Sequence, residues 1–221
     1  MAKRKTPQIS ARKAPQQARS SELVQAVLEA AVQVLVKQGA PRFTMARVAE
    51  KAGVSVGSLY QYFPNKAAIL FRLQSDEWRE TRELLRSILE DTSVAPHERL
   101  RRAVHAFVRS ECEEAAVRGA LNDAAPLYRD APEAKAAREA SAATMRRFIA
   151  ELLPHTPSSE RDLAEALIKS TLSAVAKQFS EQPRSEAEIA AYSDALADML
   201  CAYLERLAAK AHPTPKRSRR A

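Results

Sequence analysis

Thr44-Met45-Ala46-Arg47-Val48-Ala49-Glu50-Lys51-Ala52-Gly53-Val54-Ser55-Val56-Gly57-Ser58-Leu59-Tyr60-Gln61-Tyr62-Phe63-Pro64-Asn65-Lys66 reads as a short helix, a glycine turn and a second short helix. Thr44 can accept a backbone N–H and cap the first helix, Val48, Ala49 and Ala52 give it an apolar face, and Gly53 ends it where a left-handed residue is needed. Ser55 can cap the second helix. That helix has only Leu59 and Phe63 as an inward i, i+4 pair, so Val56, Gly57, Ser58, Tyr60, Gln61 and Tyr62 are expected to face outward. An exposed surface of small and aromatic side chains calls for a partner. A helix-turn-helix supplies one, because its second helix lies in the DNA major groove with its first residues against base edges.

Outward from this stretch the chain keeps the same character. Ser20 or Ser21 is placed to cap a preceding helix whose stripe is Leu23, Val27, Leu28, Ala31, Val34 and Leu35, and Gly39 stops it. Phe43 is the large aromatic that a three-helix unit of about 50 residues needs at its centre. Further helices are expected from Asn65 to about Glu90, Pro96 to about Arg118, near Leu121 to Tyr128, and over Pro132–Leu153, Ser159–Glu181 and Ser185–Lys210, about nine in all. Ser185 with Glu188 makes a capping box, and Ser159 with Asp162 a weaker one. The chain has only four glycines, its prolines fall between Ala-, Leu-, Glu- and Arg-rich segments, and no β-branched run alternates with period two. The fold class that follows is all-α.

Charge separates the chain into regions. Residues 1–20 hold six basic side chains and no acid, residues 210–221 five and none, and residues 21–72 six basic against three acidic, which leaves 73–209 at a net −6. A polyanion would therefore draw in the N-terminal part and turn the acidic body away. Residues 1–19 and 212–221 have too few apolar groups to fold alone and are expected to be disordered basic tails. The first tail is either a solubility tail or an arm touching phosphates or the minor groove. Cys112 and Cys201 stand apart with no metal-ligand spacing and read as small buried hydrophobes. With no secretory leader pattern and no apolar run of 18 residues, the expectation is a cytoplasmic, nucleoid-associated protein with no membrane partner.

Signals for other chemistry are weak. Gly53-Val54-Ser55-Val56-Gly57 fits the nucleophile-elbow pattern, but that elbow needs a strand before its serine and none is available. His97, His105, His155 and His212 are scattered, no Gly-rich phosphate loop exists, and Glu111-Cys112-Glu113-Glu114 points several ways on a helix. No enzyme activity, metal or cofactor is expected.

The motif resembles the TetR/AcrR family of transcriptional regulators, in the Ala52–Ser55 turn, the run Leu59–Lys66 and the apolar Ala67–Leu70, with Ser21–Phe43 as the family's first helix. The resemblance covers about a quarter of the chain. It implies a helix-turn-helix DNA-binding domain over 20–66 and a helical ligand-binding and dimerisation domain over 67–211. By the aligned motif, Val56, Gly57 and Tyr60 would meet base edges, and Thr44, Ser58, Tyr62 and Lys66 would meet phosphates. In the family the C-terminal region encloses a small-molecule pocket; apolar and aromatic candidates for its walls are Trp78, His105, Phe107, Tyr128, Met145, Phe148 and Phe179. The last two helices carry stripes wide enough to serve both a core and a second copy, through Leu163, Leu167, Ile189, Tyr192, Leu196, Met199 and Tyr203. The expected protein is a homodimeric repressor of an operator in double-stranded DNA, released by an unknown small-molecule inducer. The alternative is a helical protein-interaction module with nonspecific basic DNA binding.

Overall fold

A computed structural model describes residues 8, 9, 18–133 and 142–211, and the described residues are all-helical or connecting segments, with nine α-helices among them. These are α1 (Ala18–Arg42), α2 (Met45–Ala52), α3 (Val56–Tyr62), α4 (Lys66–Leu89), α5 (Pro96–Glu113), α6 (Ala115–Ala124), α7 (Ala142–Leu152), α8 (Ser158–Ser180) and α9 (Glu186–Ala211), with a 3₁₀ turn at Ala125–Leu127. The all-α class is as the residue pattern requires.

Local signals explain most of the boundaries. Thr44 caps α2, its hydroxyl oxygen accepting from the Arg47 N–H at 3.3 Å, and Gly53 closes it at φ 67°. A Cβ on Gly53 would meet nothing within 4 Å, so only backbone conformation demands glycine there. Gly53→Ala should therefore cost about 1–2 kcal/mol, the price of a left-handed L-residue, read as a shift in the denaturant midpoint. Ser55 caps α3 by accepting from the Ser58 N–H at 3.0 Å, and the Asn65 Oδ1 accepts from the Ala68 N–H at 3.0 Å at the start of α4. Ser185 and Glu188 form the expected reciprocal box, with the Ser185 N–H donating to Glu188 Oε2 at 2.8 Å and the Glu188 N–H to Ser185 Oγ at 3.3 Å. Those bonds from Ser185 hold the Glu188 carboxyl below its ordinary pKa.

Several boundaries differ from the sequence reading. α1 already includes Ser20 and Ser21, so neither is its cap, and Gly39 breaks its regular geometry at φ 74° rather than ending it. Position 157 is the N-cap of α8 and makes no side-chain bond, so the Ser159–Asp162 box does not form. The helix from Pro96 ends at Glu113, and Arg118 belongs to α6. The segment expected from Pro132 lies partly outside the described residues, as do the two tails except for 8, 9, 18 and 19.

The chain packs as two compact units that do not follow sequence order: Met1–Glu80 with Glu114–Ser141, and Thr81–Glu113 with Ala142–Ala221. In the first, α1 packs on α2 and α6 around Val27, Leu35, Phe43, Val48, Leu59, Phe63, Ile69, Leu70, Leu121 and Tyr128. Within this apolar core α4 and α6 are joined by a buried polar chain. The Tyr128 hydroxyl donates to Gln74 Oε1 at 3.1 Å, Gln74 Nε2 donates to Glu77 Oε2 at 2.8 Å, and Arg118 Nη2 lies 3.1 Å from Glu77 Oε1. Burial pushes the Tyr128 hydroxyl pKa far up, so it remains a donor.

In the second unit α5 is central, packed against α8 and α9, with α7 against α8. Leu100, Val104, Val108, Ile149, Leu153, Ile168, Leu196, Leu200 and Leu204 form its core. Along the α5–α9 seam Arg101 pairs with Asp198, His105 with Asp194 and Arg109 with Glu186, one pair per turn of α5. Arg99, 2% exposed, donates to the Leu89 carbonyl at 2.5 Å, pairs with Glu151 and stacks over Phe148. Burial raises the pKa of both Cys112 and Cys201, which keeps them as thiols.

Candidate nucleic-acid interface

The helix α3 is fixed from beneath. Leu59 is fully buried and Phe63 2% exposed, both in the core of the first unit, while Val56 and Tyr60 stand 39% and 42% exposed on the opposite side. Gly57 and Gln61 are exposed too, and Ser58 is half-buried with its hydroxyl 2.8 Å from that of Ser55. A surface helix normally turns polar side chains outward; this one shows valine, glycine and tyrosine to solvent.

Of the residues expected at phosphates, Thr44 is exposed and Lys66 half-buried at the first position of α4. A cation there opposes the helix dipole, which makes the position favourable only when an anion is nearby. Tyr62 departs from the expectation: it is half-buried and packs on the core of the first unit, so only its rim faces outward. The sequence reading passed over Arg47. It is exposed near the start of α2, and its Nη1 donates to the Arg42 carbonyl at 2.8 Å, which holds the guanidinium beside the turn into α2. Its signal was present, because between Thr44 and Lys66 there are three cations and only one acid, Glu50.

The residues expected to line a ligand pocket divide between the units. Trp78 and Tyr128 lie in the first, His105, Phe107, Met145, Phe148 and Phe179 in the second. Phe107, Met145 and Phe148 are core residues of the second unit, and Tyr128 is a core residue of the first. Phe179 stacks on Tyr192 with ring centroids 4.0 Å apart and lies under Arg184, and His105 is paired to Asp194 at 2.9 Å. An open groove of about 520 Å³ between α7 and α8 is lined by Arg146, Asp162, Glu165, Ala166, Lys169, Ser170 and Ser173, none of which sequence reasoning had assigned to a ligand site.

The residues expected at a dimer interface also sort by exposure. Ile189 and Leu196 are 5% and 6% exposed and belong to the core of their own chain, and Tyr192 and Tyr203 pack partly against it. Leu163, Leu167 and Met199 are 64%, 45% and 51% exposed. The seven-residue spacing on α9 joined residues that face inward, because a wide stripe does not say which of its edges meets α5. Among the described residues no group of three or more His, Cys, Asp or Glu side chains could hold a metal, and no helix is long and apolar enough to cross a membrane.

Residues 27–73 match the family model for bacterial regulatory proteins of the tetR family, and residues 95–207 match that for the tetracyclin repressor-like C-terminal domain. Over 53 residues the chain is 40% identical to the uncharacterized HTH-type transcriptional regulator TtgW of Pseudomonas putida, a match spanning 24% of this chain and 40% of that relative's length. The fold is similar to that of the fatty acid degradation regulator FadR from Bacillus halodurans, with a TM-score of 0.66 at 19% identity over 85% of this chain and 95% of that one. A TetR-like transcriptional regulator from Rhodococcus sp. RHA1 gives a TM-score of 0.62 at 21% identity, covering 88% of this chain and 97% of the other. One family model thus lies over the helix-turn-helix and a second over half the chain, and the chain belongs to the TetR family of transcriptional regulators.

Proposed function

We propose that this regulator is a homodimeric, sequence-specific repressor that leaves its operator when a small molecule binds its helical body. Residues 20–66 read DNA in this proposal, and 67–211 carry the ligand and dimer contacts. The observation that carries it is α3, a helix anchored by Leu59 and Phe63 with Val56, Gly57 and Tyr60 left in solvent. Val56 offers a methyl surface to thymine, Gly57 lets the backbone approach a base edge, and Tyr60 brings a ring and a hydroxyl. Thr44, Ser58, Lys66 and the rim of Tyr62 then set register on the phosphates, with Arg47 beside them.

The exposed Leu163, Leu167 and Met199 support dimerisation, because three large apolar side chains in solvent are removed from water when α8 and α9 of two copies meet. A two-fold dimer must present its reading helices about one helical turn, ~34–36 Å, apart. A ligand that favours another separation by about 1–3 kcal/mol would release the operator about 5- to 150-fold more readily. The ligand site draws on the second unit, where His105, Phe107, Met145, Phe148 and Phe179 are brought into one body.

The test is retardation of the DNA upstream of the protein's own reading frame. Specific retardation at physiological salt supports the repressor, whereas salt-labile binding to any duplex points to a basic interaction module. Within specific binding, Lys66→Ala should weaken all sequences and lower the salt slope by about one, and Tyr60→Ala should relax discrimination at one base pair by about 1–3 kcal/mol. The reverse pattern would mean that α3 is docked differently.

A further inference from the structure

Gln61 is exposed, and it is the only amide side chain on α3. Leu59, fully buried, marks the inward direction of this helix, and each successive residue is turned by about 100°. Gln61 and Gly57, each two residues from Leu59, are therefore aimed within about 20° of straight away from the core, and no other residue of α3 is turned as far from it. The outermost line of the helix is a glycine followed one turn later by a glutamine. Glycine weakens a helix relative to alanine, yet Gly57 is not among the glycines with positive φ, so the backbone does not require it. A Cβ there would come no nearer than 3.7 Å to the Ser55 hydroxyl, an ordinary contact, so packing within the chain does not require it either. What a bare position does provide is clearance for a partner to approach from outside. Helical side chains lean toward the helix N-terminus over the preceding turn, which brings the Gln61 amide over that clearance.

We infer that Gln61 is a specificity-determining residue that takes an adenine in the major groove, its Nε2 donating to adenine N7 and its Oε1 accepting from the adenine N6 amino group, beside the bare turn at Gly57. The base follows from the amide, which holds one donor and one acceptor at a fixed spacing. In the major groove adenine shows an acceptor and a donor side by side, whereas guanine shows two acceptors, cytosine a donor and thymine an acceptor with a methyl group. Carrying no charge, Gln61 contributes preference between sequences and adds nothing to the salt-dependent attraction of the phosphates. This rests on the DNA-reading assignment of α3 in the proposed function, and it adds a polar contact to the methyl surface of Val56 and the ring of Tyr60.

The experiment uses the full chain to select from a pool of random-sequence duplexes, then measures affinity for the selected sequence with each base pair replaced in turn, over a series of salt concentrations. Gln61→Ala should lose about 5- to 150-fold of discrimination at one A·T pair of each half-site, with the slope of log affinity against log salt unchanged. Gln61→Glu should turn the same position toward C·G, because a carboxylate accepts from cytosine N4 and has no proton to give to adenine N7. Gln61 is exposed, so both variants should melt with the parent. A Gln61→Ala chain whose preferences match the parent's at every position overturns the inference and leaves the reading helix standing. Equal weakening on every duplex with a shallower salt slope also overturns it, since that is the mark of a phosphate contact. Loss confined to a G·C pair overturns the adenine assignment. A parent chain that selects no sequence from the pool removes the reading role of α3, and the role of Gln61 falls with it.

Discussion

A chain carrying Leu163→Glu together with Leu167→Glu is expected to sediment as a monomer and to lose about 10²- to 10⁴-fold in operator affinity, the advantage that a second linked reading head provides. The two leucines sit one turn apart on α8, and both are exposed in the single chain. Around them Ala166, Ser170, Ser173 and Ala174 are small and exposed as well, which permits close approach of another helix. In the proposed two-fold dimer each patch would meet its own copy, so two glutamates per chain would become four carboxylates facing one another. Because neither leucine contributes to the core, the monomer should unfold within about 0.5 kcal/mol of the parent. That control separates this variant from Leu196→Glu, which would bury a charge in the second unit and unfold it. A double variant that still sediments as a dimer would place the contact elsewhere.

Phe43→Ala should cost about 3–5 kcal/mol, the largest single loss expected in the DNA-reading unit. Phe43 is completely buried between α1 and α2 and shares its cluster with Leu35, Val48, Leu59 and Phe63. The cavity is hard to collapse, since Gly39 and the Thr44 cap fix the chain on either side. Against a typical total of about 5–15 kcal/mol such a loss leaves the unit marginal. DNA binding should then fail at a temperature where helices of the second unit still give their circular dichroism signal. Val36→Ala, at a residue 42% exposed on α1, should change the same melt by less than about 0.5 kcal/mol.

What could be read in advance was local. The α2–turn–α3 unit is written in residues within four positions of each other, Thr44 to Arg47, Gly53 and Ser55 to Ser58, and the structure makes those bonds. The 185–188 box is of the same kind. What escaped depends on which distant segments meet. Nothing in the sequence near Ala115–Ala124 marks it as packing on α1, or Ile9 as a residue of the first unit's core. The apolar stripe of α9 was visible, but a stripe that broad has two edges, and only tertiary packing on α5 decided that Ile189 and Leu196 face in while Met199 faces out. The pocket candidates were ambiguous in a related way: large apolar side chains are wanted equally by a ligand wall and by a core, and Phe107, Met145 and Phe148 belong to the core of the second unit.

The Tyr128–Gln74–Glu77–Arg118 chain has a bearing on how α4 can move. Greasy helices slide past one another through many near-equal positions, whereas a keyed joint has one. Advancing α4 along α6 by a single residue would part Glu77 from the Arg118 guanidinium 3.1 Å away, at a place where little water reaches either charge. Within the first unit, then, those four side chains oppose slippage of α4 along α6 and favour its rotation or bending as a keyed shaft.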